Sequence, residues 1–159
     1  MAVLIIIGRI AALTITLGLS ACGGRSMPPD TDFGAATSLS CVPYAREVSG
    51  IELSGDAWQW WREADGRYAR GNTPRLGAVL VFRAKRAMPQ GHLAVVTAIQ
   101  NSRTILVTQS NWLPRRIERD QPVTDVSDAN DWTLVRVYYE PAQAMGVTAY
   151  KTYGFVYPP

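Results

Sequence analysis

The hydrophobic pattern changes its period once, near Gly77, and that switch constrains the fold more than any other feature of the chain. Before it, apolar residues recur at helical spacing. Ser40 stands where a helix over Cys41-Val-Pro-Tyr-Ala-Arg-Glu-Val48 would start, and Ser49-Gly50 would end it. Pro43 is tolerated there because a first-turn residue has no intrahelical acceptor for its missing N–H. A second helix is predicted from about Asp56 to Ala64, where Ala57, Trp58, Trp60, Trp61 and Ala64 make a broad apolar stripe that reads as core. After Gly77 the period becomes two. Strands are expected over 77–82, 91–99, 103–108 and 132–139, with a last one over 152–157. Helices first and strands afterwards predict an α+β fold, with the helices on one face of an antiparallel sheet.

A chain of 159 residues forms one core and not two. Its 47% apolar and 18% charged residues exclude disorder by composition, collagen and coiled coil. The formal charge of +3 is too small for a nucleic-acid binder. One histidine rules out a His-rich metal site, and two cysteines rule out a four-Cys zinc site, so neither a cofactor nor a catalytic metal is expected. Asp125, Asp128 and Asp131 lack the ligand spacing and central Gly of a calcium loop. Whatever chemistry the chain performs uses few reactive groups.

The first 21 residues carry one charge, Arg9, followed by the apolar stretch Ile10 to Leu19. That stretch is too short for a permanent membrane span and suits a signal peptide. Leu19-Ser20-Ala21-Cys22 resembles the bacterial lipobox, in which cleavage precedes the cysteine and its thiol carries lipid. The predicted organisation is therefore a lipoprotein-type signal peptide over 1–21, a Gly/Ser/Pro-rich tether over 22–37 that starts at the lipidated Cys22, and one domain over 38–159. The competing reading is an ordinary signal peptide with an incidental cysteine.

If Cys22 is lipidated, Cys41 is the one thiol left, and an unpaired thiol in an oxidising compartment calls for a reason. A helix start supplies unsatisfied N–H groups and positive partial charge, which favour thiolate and can bind an oxyanion. The alternatives are a buried structural cysteine or a Cys22–Cys41 disulfide. The chain's one imidazole, His92, lies in the first arm of a hairpin. If Asn101-Ser102 are its turn residues, His92 faces Asn111 across the ribbon, with Gln109 one diagonal step away on the same face. A thiol, an imidazole and a carboxamide make a Cys-His-Asn device: His92 takes the proton of Cys41, and Asn111 or Gln109 fixes the ring.

Five segments carry a family resemblance: Cys41-Val-Pro-Tyr-Ala-Arg46, Ser54-Gly-Asp-Ala-Trp-Gln-Trp60, Pro74-Arg-Leu-Gly-Ala-Val-Leu-Val-Phe82, Gly91-His-Leu-Ala-Val-Val96 and Val107-Thr-Gln-Ser-Asn-Trp112. In this order they resemble the CHAP domain, the cysteine, histidine-dependent amidohydrolase/peptidase family of the papain-like superfamily. The resemblance implies a papain-like α+β fold, in which N-terminal helices carrying the cysteine pack on a mostly antiparallel sheet. It implies Cys41 as nucleophile and His92 as general base. The family's Glu-x-Asn pattern reads Gln109-Ser110-Asn111 here, so the ring-orienting role is expected of Asn111 first and Gln109 second.

The implied function is a peptidoglycan hydrolase that cleaves an amide bond, as amidase or endopeptidase, through an acyl-enzyme. Its partners would be peptidoglycan stem peptides and, through the N-terminal lipid, a membrane facing the periplasm or cell envelope. A monomer with no nucleic-acid partner is expected. The alternative is a non-catalytic cell-wall-binding or scaffold lipoprotein, motivated by Gln109 in place of an acid. A thiol acyltransferase would use the same intermediate.

Overall fold

The computed structural model describes residues 25–26 and 38–159. The expected signal peptide, Cys22 and all of the expected tether except Arg25–Ser26 lie outside the described residues. In chain order the elements are β1 (Arg25–Ser26), α1 (Cys41–Ser49), a 3-10 turn over Ala57–Gln59 running into α2 (Trp60–Glu63), β2 (Arg70–Gly71), β3 (Val79–Phe82), β4 (His92–Ile99), β5 (Thr104–Ser110), β6 (Ile117–Asp125), β7 (Leu134–Tyr139), a 3-10 turn over Glu140–Ala142, β8 (Ala144–Met145) and β9 (Tyr150–Val156).

Helix α1 begins where Ser40, in extended conformation, offers its carbonyl to Tyr44 N–H at 3.1 Å. It ends at Gly50, whose φ of 70° is the left-handed cap that glycine adopts without strain. Cys41, Tyr44, Ala45 and Val48 follow the i, i+3, i+4, i+7 spacing, so the cysteine shares the stripe that packs on the sheet. The second predicted helix is shorter and divided: a 3-10 turn leads into a single α-turn at Trp60–Glu63. Its anchor is Trp60, fully buried among Ile51, Leu53 and Val156. Burial of such a ring contributes about 2–3 kcal/mol, which offsets the weakness of so short a helix.

The sheet departs from the expected layout. Antiparallel strands run β3-β4-β5-β6-β7, and β9 pairs with both β3 and β7, so six strands close into a barrel. The chain is mostly β, with two short helices outside the barrel wall. It is not the α+β, papain-like arrangement of N-terminal helices on a sheet. The physical reason lies in β6, which the sequence pattern does not reveal. Its residues Ile117-Glu-Arg-Asp-Gln-Pro-Val-Thr-Asp125 show no apolar alternation and include a proline, yet they bridge β5 to β7. With that strand in place, the right-handed twist of the sheet carries β7 round to β9.

Closure gives the wall two buried faces. Leu80, Phe82, Ala94, Val96, Ile105, Val107, Val123, Val135, Val137 and Phe155 fill the interior, with Trp132. Val79, Val81, Leu93 and Val95 point outward beneath α1 and α2. Both faces of β3 are buried, which is why its sequence is an unbroken apolar run.

The β4–β5 ribbon also differs from the predicted two-residue turn. The N–H groups of Gln100 and Asn101 both reach Thr104 O, so the connection is longer. A bulge between Val96 and Ala98 absorbs the extra residue. Beyond it the predicted pairing returns, with Ala94 opposite Gln109 and Val95 opposite Thr108. The ribbon ends at Ser110. Asn111 turns away with φ of 65°, so it does not complete the expected pairing with His92.

Candidate active site

Two side-chain links hold the start of α1 against β5. Tyr44 Oη lies 2.7 Å from Thr108 Oγ1 in a buried contact, and Ser110 Oγ donates to Ser38 O at 2.7 Å. Between them stands Cys41, the free cysteine of the described residues. The helical ladder starts at Tyr44 N–H and Pro43 has no N–H, so the unshared first-turn donors belong to Cys41 and Val42. Both hydrogen-bond the thiol and favour its ionised form, as does the N–H of Leu93 on β4. Burial is the larger effect and pushes the Cys41 thiol above its ordinary value. The predicted preference for thiolate at this helix start is thus outweighed by desolvation.

His92 opens β4 and is 4% exposed. Its ring packs edge-on to Phe82 and Trp112, with centroids at 5.7 and 5.1 Å. Nε2 lies 3.1 Å from Oε1 of the fully buried Gln109. A carbonyl oxygen only accepts, so in the neutral ring Nε2 carries the proton and Nδ1 keeps the lone pair. Burial pulls His92 down to about 4, opposed by the Gln109 contact. At neutral pH the site therefore holds a thiol and a neutral imidazole, a pair suited to general-base catalysis.

The four predicted residues divide accordingly. Cys41, His92 and Asn111 line one cleft of about 810 Å³, and Gln109 lies buried against the imidazole. Asn111 has another task. Its N–H donates to Arg116 O at 2.7 Å and its Oδ1 accepts from Arg115 N–H at 3.0 Å, closing the loop that carries Trp112. The expected order, Asn111 before Gln109, is reversed at the imidazole. The hairpin parity already placed Gln109 on that face; the φ of Asn111 is what the pattern could not show.

Other residues of the site lie outside the predicted set. Trp112 packs on both His92 and Tyr150, and Lys85 Nζ sits 3.9 Å from the Tyr150 ring centroid at the cleft wall. Tyr150 opens β9, two residues ahead of the last strand expected from the sequence. Arg83 donates to Thr152 O, and Arg116 pairs with Glu140 at 2.8 Å. Among the described residues, no three His, Cys, Asp or Glu side chains group as a metal would need, and no helix is long and apolar enough to cross a membrane.

A model of the CHAP domain family matches residues 30–111, just over half of the chain and a span that includes Cys41, His92, Gln109 and Asn111. The chain belongs to the CHAP domain family. CHAP domains are commonly peptidoglycan amidases or peptidases, and the family is associated with hydrolase activity. No curated protein and no solved structure matched the chain. In this CHAP domain most of the cleft lining falls within the matched span, while Trp112, Leu113, Tyr139 and Tyr150 come from beyond it.

Proposed function

We propose that this protein is a peptidoglycan hydrolase that cleaves an amide bond through Cys41 and His92. The observation that carries the reading is that thiol and imidazole line one cleft, each with its polar partners in place. His92 Nδ1 takes the Cys41 proton as the sulfur attacks the amide carbonyl carbon. Once the sulfur is bonded to carbon, the Cys41 and Val42 N–H groups that hydrogen-bond the resting thiol become donors for the oxygen on which negative charge develops. Collapse of the tetrahedral adduct breaks the C–N bond, and the imidazolium gives its proton to the leaving amine. Water, deprotonated by the same imidazole, then cleaves the thioester and releases the acid.

Lys85 stands at the cleft wall as a cation for the carboxylates of stem peptides. An exported chain anchored through lipid on Cys22, facing the periplasm or cell envelope, would meet that substrate as a monomer. Purified cell wall incubated with the protein should release soluble fragments, and Cys41→Ala should release none above background. Mass spectrometry of the fragments identifies the bond. Equal release by the two proteins would end the catalytic reading.

The raised Cys41 thiol and the neutral Gln109 favour one competitor, a wall-binding scaffold that keeps the cleft without turnover. Sedimentation with insoluble wall, unaccompanied by fragment release, is the result that would select it.

A further inference from the structure

Two buried polar atoms near the imidazole lack partners. Gln109 Nε2 and Glu118 Oε1 make no hydrogen bond. Their residues are 0% and 5% exposed, and they sit directly opposite each other on β5 and β6. Directly paired residues of an antiparallel ribbon share one face, with Cβ atoms about 4.5–5.5 Å apart. One atom is a donor and the other an acceptor, so a single hydrogen bond satisfies both.

We propose that Glu118 is a positioning residue: Glu118 Oε1 accepts from Gln109 Nε2, directly or through one water, and thereby holds the Gln109 carbonyl toward His92. The two ends of a glutamine amide have nearly the same shape, and His92 alone does not choose between them. With the carbonyl inward, His92 carries its proton on Nε2 and leaves Nδ1 basic. With the NH2 inward, Nε2 must accept, the proton moves to Nδ1, and the base is lost. A carboxylate only accepts, so Glu118 permits one orientation. Glu118 is itself held, because Oε2 accepts from Leu113 N–H at 3.1 Å. Burial raises its carboxyl; Leu113 N–H and Arg116 oppose that rise and Glu140 adds to it. The catalytic consequence rests on the hydrolase reading above, while the tautomer does not.

The chain has one histidine, so 15N-histidine labelling of the full chain reports His92 without assignment. The parent should show the Nε2–H tautomer. Glu118→Gln keeps an acceptor for Leu113 but sets an NH2 group against Gln109. It should shift His92 toward Nδ1–H and lower kcat at least about tenfold with KM nearly unchanged. The double variant Q109E/E118Q exchanges the two groups, places a carboxylate on the ring, and should restore both the tautomer and kcat. A purely structural Glu118 would gain nothing from this exchange. An unchanged tautomer in folded Glu118→Gln overturns the proposal, as does a double variant no better than the single one. If Glu118→Gln does not fold, the Gln109 side-chain NH2 signals of the parent decide: they should move as Glu118 titrates, and their indifference overturns it. A parent that releases no more wall fragments than Cys41→Ala sinks the hydrolase reading alone, since the tautomer comparison still decides Glu118.

Discussion

Burial of His92 ties its ionisation to the stability of the domain. An unfolded histidine titrates near 6.5, and in the fold burial lowers that to about 4. Between these values the unfolded chain binds the extra proton, so stability is complete above about pH 6.5 and declines as pH falls toward 4. The loss attributable to this residue is about 3 kcal/mol. Thermal unfolding from pH 7 to pH 4 should show a fall in Tm that His92→Gln largely removes; equal slopes in both proteins would contradict the assignment. Under the proposed hydrolase function, in which the neutral ring is the base, activity carries the same sign, and single-turnover rates should rise through pH 4. His92 and Cys41 stand out in the sequence because so few residues could share their roles. Gln109 and Asn111 do not separate there, because the choice rests on the backbone leaving β5 at Ser110 with φ of 65° at Asn111. Glu118 is not visible, because it sits in a polar stretch and acquires meaning only when β6 pairs with β5.

At the scale of elements, the site depends on two joints. The first is Gly91, which turns the chain into β4 with φ of 70°. A Cβ there would lie 2.7 Å from Phe82 O and 2.9 Å from Trp58 N, both backbone atoms that cannot step aside cheaply. Gly91→Ala should therefore lower stability by on the order of 2 kcal/mol, and fragment release with it, because His92 is the next residue. Denaturant titration and the wall assay check this together. The second joint is the Tyr44–Thr108 contact, which ties the helix of the thiol to the strand of Gln109. Tyr44→Phe should cost roughly 1 kcal/mol and raise the Cys41 alkylation rate as the helix start loosens. Helix α1 and strands β3 to β5 are legible because each buries a regular stripe. The second helix breaks into a 3-10 turn and a single α-turn, with Trp60 as the one large side chain it buries fully. Strand β6 is illegible, since its backbone pairing rather than apolar side chains holds it in the wall.

For the whole molecule, one unread strand changes the architecture. Five strands with helices on one face describe an open sheet; the sixth lets the first and last edges meet. The cleft then lies at one end of a closed wall, between α1, the Trp112 loop and β9. Closure also makes stability depend on β9, whose partners β3 and β7 are far from each other in sequence. Removing residues 140–159 should abolish cooperative thermal unfolding, although α1 and β3 to β7 remain. A truncated chain that still melts sharply would mean that the open sheet is stable by itself.

The insertion of β9 between β3 and β7 sets an order on biosynthesis. A growing chain presents its cysteine to the surroundings long before residue 156 is made, and until then the ring stays open. Cys41 spends that interval outside the folded wall, open to oxidants and to stray disulfide exchange. It gains its protected setting only when the nascent polypeptide supplies the closing strand, so a prematurely terminated product would carry the reactive atom without the enclosure that directs it.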